Sequence, residues 1–352
     1  MKKCLPFKLD NPISTECWTH NYLGVLMVHD QYRPFIMETF LSFYFDGAKV
    51  FLGSIDQPTT LPGFANEVLY CESLYTQDKS IEEAIKESIC NNRYVLMFCD
   101  LSKENRPFMH EILLVGVDEG QNEIYYVRND SSEILSMSLP DLLKAHQRYL
   151  DAVSHTDAFI LSYHYKGPIS TLFCNTGYHP RYPKIEIMKD RLYRHLCGCK
   201  STEFFEEEAQ SRTMIYGLPV YDCLCEQWKS RALPTAFWLC NNYKKLWESR
   251  RLLLMSIEEL SRYPKLNIRQ ELVQKAQCLC EELDTAANMV IKYTISCQEA
   301  LIDRIIEKTA VCRTLDAAVS SELYFCILDG LQAMDWFRSD NNSVEEEREE
   351  RT

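Results

Sequence analysis

No proline follows Pro264, and beyond Gly198 only Gly217 and Gly330 interrupt the chain. Six of the eleven glycines lie before residue 121. Helix interiors disfavour proline by about 3 kcal/mol and glycine by about 1, so turns and strands belong to the first half and long helices to the second. From about Ile187 the spacing is helical. Leu272, Ala276, Leu279, Cys280 and Leu283 share one stripe, and amphipathic runs continue through Ile302, Ile305, Ile306 and Tyr324 to Trp336. For 352 residues this means an α+β protein of about two domains. We expect residues 1–168 to form a domain built on an antiparallel sheet and 169–342 a helical domain. The acidic tail, 343–352, is expected to be a solvated helix end or disordered.

In the first half, Ser14-Thr15-Glu16 is a capping-type sequence ahead of a helical spacing of Trp18, Tyr22, Leu23, Leu26 and Met27, which puts Cys17 in a first helical turn. Residues 93–99, 111–117, 123–128 and 158–164 are β-branched and aromatic runs of strand length. Asp118-Glu119-Gly120-Gln121-Asn122 reads as the turn of a hairpin. With that turn centred on Gly120 and Gln121, the residue opposite His110 is Asp130 or Ser131.

A helix N-terminus favours a thiolate, and His110 supplies a base at the mouth of a strand. Asp130 at the far end of the hairpin, or Asn129 beside it, would fix the imidazole tautomer, giving a Cys–His–Asp/Asn arrangement. Asn11, six residues before Cys17, is either an oxyanion donor acting with the Cys17 N–H or a loop residue.

The order of an amide, Cys-Trp on a helix, and His-Glu-Ile-Leu-Leu-Val-Gly-Val-Asp followed by Ile-Tyr-Tyr-Val-Arg-Asn-Asp resembles the papain-like cysteine-peptidase fold over about residues 8–165. Within that fold the chain resembles the bacterial butirosin acyltransferase type. It looks nearest to amide synthetases of the closthioamide type and is more distantly similar to the leader peptidases of peptide exporters. The resemblance implies a papain-like catalytic domain that moves an acyl group from a thioester on the phosphopantetheine arm of an acyl or peptidyl carrier protein, through an acyl-cysteine, to an amine or diamine. No other cofactor is implied. Two departures stand out: Asn11 replaces the family's usual glutamine, and Asn129-Asp130-Ser131 replaces an Asp-Pro pair.

With 38 Lys+Arg against 51 Asp+Glu, the net charge of −13 argues against nucleic-acid and anionic-membrane partners and suits a cationic acceptor. It leaves oligomeric state open, a homo-oligomer included. Sixteen cysteines without scaffold spacing, and no apolar region behind Met1-Lys2-Lys3, lead us to expect free thiols in a reducing cytoplasm. The pairs Cys197/Cys199, Cys223/Cys225 and Cys278/Cys280 read as helical core cysteines rather than metal ligands. The basic cluster Arg181, Lys184, Lys189, Arg191, Arg194 and Lys200 is either a solvated helix face or a docking patch for an acidic partner. Rival readings are a cysteine peptidase or thioester hydrolase using the same residues, and a catalytically silent interaction module.

Overall fold

Apolar residues from Ile112 to Val117 build the longest strand, Met109–Asp118, and the larger sheet forms around it. The computed structural model describes residues 2–52, 68–74, 79–102, 109–154, 169–178, 183–200 and 214–349. It is a mixed α/β chain with antiparallel sheets and a helical C-terminal region. In chain order the strands are β1 (Lys2–Cys4), β2 (Phe43–Phe45), β3 (Val50–Leu52), β4 (Leu69–Ser73), β5 (Tyr94–Asp100), β6 (Met109–Asp118), β7 (Glu123–Val127), β8 (Leu135–Ser138), β9 (Ile169–Cys174) and β10 (Ile215–Tyr216). The helices are α1 (Cys17–Leu26), α2 (Arg33–Glu38), α3 (Ile81–Cys90), α4 (Leu139–Ser154), α5 (Ile185–Cys197), α6 (Pro219–Ser230), α7 (Ala236–Leu260), α8 (Gln270–Ser296) and α9 (Ala300–Glu349).

The chain divides into two units, residues 1–34 with 54–181 and residues 35–53 with 182–352. In the first, the strand order is β4-β9-β5-β6-β7-β8, every neighbour antiparallel. β1 pairs with Gly116–Asp118, taking the edge of β6 that β5 has left at Leu114. That approach requires glycine: a Cβ on Gly116 would lie 2.7 Å from the Lys3 carbonyl oxygen. The β6–β7 turn is organised by Asp118 Oδ1, which accepts from the N–H groups of Gly120 and Gln121. Leu113 pairs with Val127 and Val117 with Ile124, with a register shift between Leu114 and Gly116, and the ladder ends at Leu113 and Val127, so the predicted pairing of His110 with residue 130 or 131 does not form.

The strands expected at 93–99, 111–117 and 123–128 are β5, β6 and β7, and the run 158–164 lies outside the described residues. The division departs from a boundary at 168 in two places. β9 hydrogen-bonds both β4 and β5, so 169–174 belong to the larger sheet. Residues 35–53 join the helical unit because β2 pairs with β10, and Phe43, Phe45 and Val50 enter its core with Met188, Leu192, Tyr221 and Trp228. Helix α9 continues through residues 343–349, the helical alternative for the acidic tail.

In the second unit, Arg250 and Asp316 are fully buried and paired at 3.0 Å. Asp316 also accepts from Tyr221 and Ser320 and lies 3.4 Å from His195 Nε2, while Arg250 donates to the Leu41 carbonyl. Burial pushes the Asp316 carboxyl up, but Arg250, His195 and Tyr221 overcome it and hold it well below the usual range. Within the basic cluster Arg191 is committed to the interior of this unit, while the Lys189 and Arg194 side chains stay about a third exposed and pair along their own helix. Arg191 is 4% exposed and donates to the Glu38 carbonyl, Arg194 is held by Asp190 and the Lys200 carbonyl, and Lys189 pairs with Glu186. Arg181 lies outside the described residues.

Cys223 and Cys225 lie within α6, and Cys278 and Cys280 within α8, but Cys278 is exposed, and Cys197 at the end of α5 and Cys199 beyond it are exposed rather than core residues; all sixteen cysteines are free. Among the described residues, no helix is long and apolar enough to cross a membrane.

Candidate active site

Cys17 is the first residue of α1 and is partly exposed. The helix is entered from Glu16 in extended conformation, without a side-chain cap. The Glu16 carboxylate instead accepts from the Thr19 hydroxyl at 3.0 Å. His20 N–H donates to the Glu16 carbonyl at 2.9 Å, so the backbone N–H of Cys17 lies ahead of the first intrahelical bond. Gly24, two turns on, packs against the Phe7 ring, where a Cβ would lie only 2.1 Å from a ring carbon.

His110 lies on β6, opposite Cys99 of β5. Its Nδ1–H donates to the Glu111 carbonyl at 2.6 Å, which fixes the neutral tautomer with the basic lone pair on Nε2. Burial lowers the His110 pKa, while the Glu111 carbonyl, Asp130 and Asn129 favour the charged ring and Arg128 opposes it. Tautomer control therefore comes first from the strand's own backbone.

The two candidates for the third position separate because β7 ends at Val127 and the chain turns, with Ser131 N–H on the Arg128 carbonyl. Asp130 is carried outward. It is exposed and gripped by Arg128 through two 2.7 Å bonds, and it acts on His110 only through its charge. Asn129 is tucked inward, donates to the Ser14 carbonyl at 2.7 Å, and has its side chain against the His110 ring. Asn129 Oδ1 is buried without a well-formed bond of its own.

Asn11 is spent on the loop. Its Nδ2 donates to the Lys8 and His20 carbonyls at 3.0 and 3.2 Å, and its Oδ1 accepts from Ile13 N–H. That is the loop-residue reading. His20 lies beneath it, 2% exposed, with Nδ1–H on the Ile13 carbonyl and Nε2 buried without a partner. Burial also lowers its pKa.

Two residues escaped the sequence reading. Glu111, 2% exposed, places Oε2 3.9 Å from the Cys17 sulfur, and its Oε1 accepts from Asn21 at 2.6 Å. The available signals were a charged residue in an otherwise apolar strand, and an amide four residues after Cys17 on the same helix face.

Chemically, the arrangement offers a thiol at a helix start, a neutral imidazole with its tautomer set, an amide beside that imidazole and a carboxylate against the thiol. Among the described residues, no group of three or more His, Cys, Asp or Glu is placed to hold a metal ion. No protein-family model and no curated protein matches the chain.

Proposed function

We propose that this chain is a papain-like cysteine acyltransferase that moves an acyl group from a carrier-protein thioester to an amine. The observation that carries the reading is His110, held neutral by burial with Nδ1–H fixed and Asn129 at its ring, on the strand against which the Cys17 helix packs. In the proposed reaction the Cys17 sulfur attacks the thioester carbonyl as its proton passes to His110 Nε2. The tetrahedral intermediate collapses, the carbon–sulfur bond to the pantetheine arm breaks, and the leaving thiolate takes that proton. The amine then attacks the acyl-cysteine and gives its proton to His110, which returns it to Cys17. The Cys17 N–H at the helix start is the natural oxyanion donor, since the Asn11 amide is engaged with Lys8 and His20.

An amine acceptor fits a chain of net charge −13, which concentrates cations around it. The test is incubation with an acyl-pantetheine or acyl-carrier thioester, with and without a diamine, followed by intact-protein and product mass spectrometry. The expected result is an acyl adduct on Cys17 and amide in excess of free acid. Free acid as the main product across several diamines would make the chain a hydrolase. Absence of any adduct would leave an interaction module.

A further inference from the structure

Glu111 has no part in that scheme, yet it is the side chain hydrogen-bonded by the Cys17 thiol. Asn21 braces it: residues 17 and 21 share one face of α1, so a single helix carries both the thiol facing Oε2 and the amide holding Oε1. The carboxylate is almost wholly removed from solvent.

We infer that Glu111 is an electrostatic brake that keeps Cys17 in its thiol form at rest; the inference rests on Cys17 being the nucleophile of the proposed reaction. As a carboxylate, Glu111 places a negative charge 3.9 Å from the sulfur, which disfavours a second negative charge there. Donation of S–H to Oε2 stabilises the protonated form further. The charged and titratable groups of α1, β6 and the turn after β7 are engaged elsewhere or disfavoured as cations. The Glu16 carboxylate accepts from Thr19, burial disfavours the charged form of His20 and His110, and Arg128 is gripped by Asp130. The brake opposes the helix-start effect, so the thiolate forms when His110 takes the proton with substrate in place rather than standing ready for stray electrophiles.

The experiment is alkylation of the full-length protein by iodoacetamide at pH 7, in which thiolate displaces iodide. Cys17 modification is followed by peptide-mapping mass spectrometry, with exposed Cys278 as internal reference. Glu111→Gln should raise the Cys17 rate roughly fivefold or more relative to Cys278, each tenfold in thiolate fraction corresponding to one unit in a thiol's pKa. Glu111→Asp, which keeps the charge, should stay within about twofold, and Asn21→Ala should fall between. An unchanged or slower Cys17 rate in a natively folded Glu111→Gln protein overturns the inference. So does a wild-type Cys17 that outpaces Cys278, a comparison that holds even if Glu111→Gln fails to fold. Alkylation needs no acyl donor. A brake without acyl transfer would therefore refute the proposed function alone, and acyl transfer with an unaltered Glu111→Gln rate would refute the brake alone.

Discussion

Asn21 and Glu111 are joined by a 2.6 Å hydrogen bond that ties α1 to β6 one helical turn beyond Cys17. The tie fixes the thiol-bearing helix to the strand that carries His110, so the relative placement of the proposed nucleophile and base is a property of one sheet and one helix rather than of a loop.

Replacement of Cys17 by alanine should eliminate both the acyl adduct and turnover while leaving the circular dichroism spectrum unchanged. A partly exposed side chain at a helix start adds little to the core. Retained turnover in Cys17→Ala would remove Cys17 from the mechanism.

Asn129→Ala should harm catalysis far more than Asp130→Ala. Asn129 is inside against the imidazole, whereas Asp130 faces outward on Arg128. Loss of the group orienting a catalytic histidine costs up to ~10⁴-fold in kcat in a serine triad. Since the Glu111 carbonyl shares that task here, a smaller loss, on the order of 10²-fold, is expected for Asn129→Ala. Steady-state kinetics of the two variants decides the ranking, and the reverse order would return the role to Asp130.

The acid limb of the pH–rate profile should fall below the ordinary histidine value of about 6.5, because burial lowers the His110 pKa and keeps the ring neutral to lower pH. Arg128→Gln should move that limb upward, since Arg128 is one of the groups opposing the charged ring. A limb above 6.5 in the wild-type chain would mean that another group titrates.

Stability should decline on acidification through the same range. His20, His110, His146 and His195 are all lowered by burial, so the unfolded chain binds more protons once pH drops below about 6.5. Their contribution is complete above that value and is lost progressively as pH falls toward the folded-state values. The urea midpoint should therefore be lower at pH 5 than at pH 7.5. An equal or higher midpoint at pH 5 would contradict the burial of these rings.

Asp316→Ala should destabilise the helical unit by about 3–5 kcal/mol, since it strands Arg250 as an uncompensated buried charge. Urea unfolding monitored at 222 nm measures this. A loss under ~1 kcal/mol would fit an exposed pair, not a buried one.

The hairpin was legible because its determinants are local: Asp118 and Gly120 specify the turn, and alternation specifies the register once the turn is centred. Register alone could not say that the strand stops at Val127, and this one event sends Asp130 outward and Asn129 inward. Glu111 was read as an ordinary strand residue because its meaning depends on Asn21, ninety positions earlier. Arg191 was legible as a charge and not as a buried one, since its acceptor is the carbonyl of Glu38. Helical periodicity revealed α8 and α9, but nothing in their spacing shows that Phe43 and Phe45 complete their core.

That shared core sets a schedule for synthesis on the ribosome. The segment 35–53 emerges with Phe40, Phe43, Phe45 and Val50, all destined for burial, more than a hundred residues before the chain from 182 onward that joins it in one unit. At ~5–20 residues per second the nascent apolar segment waits on the order of ten seconds for its partners. During this interval the apolar segment is exposed to the intermolecular contacts that lead to aggregation.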